Sequence, residues 1–143
     1  MKTLYTAHAT TTAGRGGHTA TDDGKIDLDL SVPGSNGSGS NPEQLFACGY
    51  SACFGSAIDA IVKKENSSVT KVSVQADVSL NQDEEKGFFI SVVLDAQLDG
   101  VDDATAQHLV EKAHHVCPYS KATRGNIKVE LKANGQVLSA KAA

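Results

Sequence analysis

Residues 41–64 read NPEQLFACGYSACFGSAIDAIVKK, and this stretch decides the fold. Asn41 is a favoured helix N-cap, Pro42 suits the first helical position, and Glu43 meets the positive end of the helix dipole. The pattern predicts a helix from Pro42 to about Lys64. From Leu45 to Ala57 it carries no charge on any face, and Gly49, Ser51, Ala52, Gly55, Ser56 and Ala57 keep it slim. A helix apolar all round is expected to be buried on all sides. A chain of 143 residues has little material to surround a helix of ~24 residues and ~36 Å. A second copy of the chain is therefore expected to cover part of it.

Period-two alternation flanks this helix, as in half-buried strands. KIDLDLSV (25–32) sets Ile26, Leu28, Leu30 and Val32 against Lys25, Asp27, Asp29 and Ser31. KVSVQADVSL (71–80), GFFISVVLDAQL (87–98) and NIKVEL (126–131) alternate in the same way, and weaker strands fit 3–11 and 18–22. A second helix is expected over about 103–116, starting after Asp102 or Asp103, with Leu109, Val110, Ala113 and Val116 on one apolar face. The order β-β-β-α-β-β-α-β predicts an α+β domain of mostly antiparallel sheet. No assignment is made for the tail NGQVLSAKAA (134–143).

Lys and Arg number 13 against 17 Asp and Glu, a net charge of −4. That balance argues against a nucleic-acid partner and gives an anionic membrane little to attract. MKTLYTAHATTT lacks the apolar core of a secretory signal, and no run is expected to approach the ~18 apolar residues of a membrane span. The expectation is one soluble cytoplasmic domain, residues 1–143. In that compartment three cysteines are packing, metal ligands or redox groups, not a structural disulfide framework.

Cys48 and Cys53 lie five apart, which turns a helix by ~140° net, so their side chains diverge. An intrachain disulfide would then join Cys117 to one of them. Cys53 can be read as a small buried hydrophobe. Cys117, in HHVCPYSKATRGN (114–126), can be read as a helix-capping residue at a turn. A chemical reading stands beside these: a thiol at the start of a helix begun by PYSKA, near cationic groups, has its pKa lowered. His108, His114, His115 and Cys117 are zinc-type donors. However, His114 and His115 diverge by ~100° around a helix and no CxxC accompanies them, so the histidines read better as solvated. GSNGSGSNPE (34–43) lacks the G-K-[ST] of a phosphate-binding loop and reads as a flexible loop able to border a site. Arg15, between glycines in AGRGGH (13–18), offers a fork of donors, with Glu43 as its evident carboxylate partner. Glu43 precedes Cys53 by 10 residues, so ~15 Å along the helix and on another side of it. Two antiparallel copies of the helix could bring Glu43 of one chain to Cys53 of the other.

NPEQLFACGYSACF (41–54) and HHVCPYSKATRGN (114–126) closely resemble the two signature segments of the organic hydroperoxide resistance (Ohr) proteins of the OsmC superfamily. LYTAHATTTAGRGGHTATDDGKIDLDLSVP (4–33) is similar to that family's N-terminal region. The resemblance covers the chain to about Leu131. It implies an OsmC/Ohr-like α+β fold, mostly antiparallel sheets around a long buried central helix, in an intertwined homodimer. It implies a thiol peroxidase that reduces organic hydroperoxides, with Cys53 as the peroxidatic cysteine, Cys117 as the resolving one, and a Cys53–Cys117 disulfide between turnovers. Arg15 and Glu43 match the residues that position and activate the thiolate, each subunit completing the other's site. The implied reductant is dihydrolipoamide on lipoylated protein or another dithiol, and no metal, haem or flavin is required. Cys48 departs from the family's usual Ala, and the chain runs past the usual family end after Asn134. The rival expectation is a non-catalytic binder of small apolar ligands, or a redox switch.

Overall fold

The computed structural model describes residues 1–139, which form two compact units, Met1–Leu45 and the chain from Phe46 onward. In the first unit β1 (Ala9–Thr12), β2 (His18–Thr21) and β3 (Asp27–Asp29) make an antiparallel sheet in chain order. A single 3-10 turn, Gly14–Gly16, joins β1 to β2 and carries Arg15. The Gly/Ser-rich stretch doubles back on β3, with Ser40 N donating to Asp29 O at 2.8 Å and Ser31 N to Ser40 O at 2.9 Å. Glycine is required at position 39, where a Cβ would lie 2.6 Å from the Asp29 carbonyl oxygen. This return delivers the chain to Asn41.

The long helix α1 (Pro42–Glu65) starts as its sequence predicts. The Asn41 side chain accepts from Gln44 N at 2.9 Å, and the Gln44 side chain accepts from Asn41 N at 3.1 Å. This reciprocal box satisfies two backbone donors that the first helical turn leaves free. In the second unit β4 (Lys71–Asp83) and β5 (Gly87–Asp99) form a long antiparallel hairpin. Two helices follow, α2 (Asp103–Val116) and α3 (Pro118–Thr123). β6 (Val129–Ala133) then joins the sheet parallel to β5, the one parallel pairing of the two sheets as described. The two-residue turn Asn134–Gly135, with φ of 51° and 78°, folds β7 (Gln136–Val137) back onto β6, as a type I′ hairpin does.

The second unit's core joins one face of each layer. The sheet supplies Val92, Leu94, Ala96, Leu98, Val129, Leu131 and Ala133, and α2 supplies Ala106, Leu109, Val110 and Ala113. From α1 come Tyr50, Phe54, Ala57, Ile58 and Ile61, one helical stripe. Each large aliphatic or aromatic side chain buried there contributes about 1.5–3 kcal/mol.

The α+β class is as expected. Within one chain only one face of α1 is buried, and Cys48, Ala52 and Ser56 stand exposed on another. By length and composition α1 is also apolar enough to cross a membrane, although no such run was expected. Its alanines and cysteines raise the average without large apolar side chains, and its stripe of large ones packs in the core.

Candidate active site: two thiols and a guanidinium–carboxylate pair

Cys53 lies on α1, three residues after Tyr50. Cys117 closes α2, donating its backbone N–H to Ala113 O at 2.9 Å, and is the residue from which α3 begins. Pro118 ends α2 and starts α3 at the position where a missing N–H does no harm. The chain thus bends at Cys117, whose side chain is fully buried. Its Sγ stands 3.5 Å from Cys53 Sγ. Both are free thiols, as is the exposed Cys48. A disulfide needs ~2.05 Å, so closure is a movement of about 1.5 Å.

Burial pushes the Cys53 thiol up. The Tyr119 backbone amide, in the first turn of α3, pulls it back down, and the Cys117 thiol raises it further. Buried polar groups surround this junction. Tyr50 Oη is 3.0 Å from Ser120 Oγ and 3.1 Å from Thr123 Oγ1, and His114 Nδ1 is 2.9 Å from Ser120 Oγ. The Arg124 side chain donates to the His114 carbonyl at the end of α2. Burial, with the charges of Arg124 and His115 nearby, holds the His114 imidazole down at about 4, so it is neutral near pH 7.

In the first unit Arg15 grips Glu43 with two parallel bonds, Nη1 to Oε2 at 2.8 Å and Nη2 to Oε1 at 2.7 Å. Such bidentate pairs fix orientation as well as charge. The bonds from Arg15 hold the Glu43 carboxyl below its ordinary range. Glu43 also sits in the first turn of α1, where a negative charge is favoured.

The family model for OsmC-like proteins matches residues 34–132. The chain belongs to the OsmC-like family. Among its relatives, the organic hydroperoxide resistance protein OhrB of Bacillus subtilis is 46% identical over 132 residues, covering 90% of this chain and 96% of that protein. The organic hydroperoxide resistance protein of Xanthomonas axonopodis pv. citri is 48% identical over 135 residues, covering 91% and 94%. The crystal structure of an organic hydroperoxide resistance protein from Legionella pneumophila superposes with a TM-score of 0.87 at 48% identity, covering 92% of this chain and 98% of that one.

The four residues singled out from sequence thus fall into two pairs, Cys53 with Cys117 and Arg15 with Glu43. The zinc-type donors do not converge. His108 bonds Glu65 at 3.1 Å and His114 bonds Ser120, and the described residues hold no cluster able to take a metal. The expectation that the histidines are solvated is corrected at His114, which is 1% exposed. It follows Ala106 and Val110 at four-residue steps on the buried face of α2. Sequence reading missed Tyr50, Ser120 and Thr123 as partners. The available signal was Tyr50, the one residue with a polar group in the buried stripe of α1.

Proposed function

We propose that this protein is a thiol-dependent peroxidase that reduces organic hydroperoxides to alcohols. The observation that carries the reading is the 3.5 Å contact between Cys53 and Cys117, in a chain whose relatives are named for organic hydroperoxide resistance. The Cys53 thiolate attacks the terminal oxygen of ROOH. The O–O bond breaks, RO⁻ takes a proton and leaves as ROH, and Cys53 becomes a sulfenic acid. Cys117 then attacks that sulfur. The S–S bond forms, the S–O bond breaks, and the hydroxide leaves with the thiol proton as water. A dithiol, proposed to be dihydrolipoamide on a lipoylated protein, opens the disulfide by exchange. No metal or organic cofactor has a step in this cycle, and the proposed compartment is the cytoplasm.

The site is proposed to be shared across a homodimer. Glu43 lies ~15 Å along the helix from Cys53, and in one chain α1 leaves Cys48, Ala52 and Ser56 uncovered. A second α1 packed there covers this charge-free face and brings the Arg15–Glu43 pair of one subunit to Cys53 of the other. The guanidinium then stabilises the thiolate while Glu43 holds it in place. An apolar cavity of about 420 Å³ lined by Phe46, Ile90, Tyr119 and Ile127 suits an alkyl chain. The same cavity supports a second reading, a non-catalytic binder of small apolar ligands.

Thiol titration after one equivalent of cumene hydroperoxide separates the two. The peroxidase reading expects rapid loss of the Cys53 and Cys117 thiols and recovery with dihydrolipoamide. It also expects no turnover by Cys53→Ser, and a single reaction followed by over-oxidation in Cys117→Ser. Unreacted thiols, or full turnover by Cys53→Ser, would overturn it.

A further inference from the structure

The buried hydrogen bonds between α1, α2 and α3 have one consistent direction. Thr123 Oγ1 lies 3.0 Å from the Tyr119 carbonyl and 3.2 Å from the Ser120 carbonyl, which can only accept. The single Thr123 hydroxyl proton is therefore used on backbone. Tyr50 must then donate to Thr123 Oγ1. With the Tyr50 proton used, Ser120 donates to Tyr50 Oη. With the Ser120 proton used, His114 Nδ1–H donates to Ser120 Oγ. The imidazole is thereby fixed as its Nδ1–H tautomer, with Nε2 bare and without a partner among the described residues.

Three of the four residues lie three positions from a thiol. Tyr50 is three residues before Cys53, Ser120 three after Cys117, and His114 three before Cys117. Tyr50 and Ser120 are fully buried and His114 is 1% exposed. Burying such a set costs desolvation that apolar side chains of the same size would avoid, so its value lies in geometry. A buried Cys117 can react only with what is held against it.

We infer that Thr123, Tyr50, Ser120 and His114 form a positioning chain that holds Cys117 against Cys53 and sets the rate of disulfide closure, not the rate of peroxide attack. The inference rests on the thiol-peroxidase reading for its place in the cycle. Loosening the chain lowers the effective concentration of one thiol at the other. The Cys53 sulfenic acid then lives longer, and a second hydroperoxide takes it to sulfinic acid, releasing a second alcohol.

Tyr50→Phe removes one hydroxyl and keeps the ring. Rapid-quench mass spectrometry with cumene hydroperoxide reads sulfenic acid, disulfide and sulfinic acid at each cysteine. Equilibration with dithiothreitol reads the potential of the pair without any peroxide. The expected result is sulfenic acid formation within about twofold of wild type, closure slowed about tenfold, and more sulfinic acid at Cys53. A tenfold loss of effective concentration raises the pair's potential by about 30 mV. His114→Asn, which keeps an N–H to offer Ser120, should close faster than His114→Leu, which keeps none. That pair gives the same reading if Tyr50→Phe does not fold. Closure and potential both at wild-type values in Tyr50→Phe overturn the inference, as does slowing that follows thermal stability alone across the His114 pair. A wild type that ignores hydroperoxide overturns the peroxidase reading instead, and the dithiothreitol equilibrium still decides the positioning role.

Discussion

Lowering the pH should weaken this fold through His114, by an amount its burial sets. The imidazole is held at about 4 against an ordinary 6.5. The unfolded chain therefore binds the extra proton first as pH falls, so stability declines from about pH 6.5 and the loss is complete below about pH 4. The full effect is about 3 kcal/mol, and at pH 5 it is already about 2 kcal/mol. Two other influences have to be separated. The carboxyls of Glu43, Glu65 and Asp102 are held below their ordinary range, so the stability they contribute is lost at still lower pH. His18, bonded to Asp29 and Asp27, is raised, so its contribution is present at low pH and fades as pH rises. Urea unfolding from pH 4.5 to 7.5, for wild type and for His114→Asn, cancels both. The variant should lack a decline of about 2 kcal/mol between pH 7 and pH 5 that wild type shows. Parallel curves for the two proteins would refute the assignment of His114 as a buried neutral group. So would an NMR titration of His114 with a midpoint near 6.5.

Three further outcomes are expected. Cys48→Ala should leave turnover nearly intact, because Cys48 is exposed and Cys53 is the thiol in contact with Cys117. A Cys48–Cys117 bridge as the main product in peptide mass spectrometry would show the wrong thiol was assigned. Gly39→Ala should destabilise the fold by about 1–3 kcal/mol, because its Cβ meets the Asp29 carbonyl at 2.6 Å. An unchanged denaturation midpoint would contradict this. Inactive Arg15→Ala and Cys53→Ser subunits, mixed and allowed to exchange, should regain activity in up to about half of the dimers. Confirmed exchange with no recovery would place the site within one chain.

Much of the fold could be read from local chemistry. The bounds of α1 follow from Asn41 and Pro42, and Gln44 completes a cap that the sequence already contained. β4 and β5 follow from strict alternation over residues that pair across one hairpin. The shorter strands were overdrawn. Residues 25–32 alternate throughout, yet only Asp27–Asp29 form the strand: residues 22–26 make the turn from β2, closed by Thr21 N donating to Ile26 O, and past Asp29 the chain bonds the returning loop at Ser40. β7 is two residues long and exists only through its pairing with β6, so nothing local announces it beyond Asn134–Gly135. The site divides in the same way. Arg15 and Glu43 could be matched by the fit of a guanidinium to a carboxylate. Helix geometry left Cys117 a choice between Cys48 and Cys53, and the resemblance of the two cysteine segments favoured Cys53, where the contact is found. The bonds from Tyr50 to Ser120 and Thr123 span 70 and 73 residues, and no local pattern encodes them.

The protonation of Cys53 ties these pieces together. A cysteine attacks a peroxide as its thiolate. Yet burial is the largest influence on Cys53 and favours the neutral thiol, as does the neighbouring Cys117 thiol. The Tyr119 amide opposes them, but the thiol remains raised. A reactive Cys53 therefore calls for a cation. Arg15 keeps its charge at any relevant pH and gives two of its five N–H donors to Glu43. Three donors remain for an anion, held by a carboxylate that aims the guanidinium without surrounding it. Glu43 stays ionised because Arg15 depresses it, and it cannot follow Cys53 around the helix they share. In the proposed homodimer a second subunit would meet these requirements together: it would cover the open face of α1 and supply the cation, with Cys117 already 3.5 Å from Cys53 for the proposed disulfide.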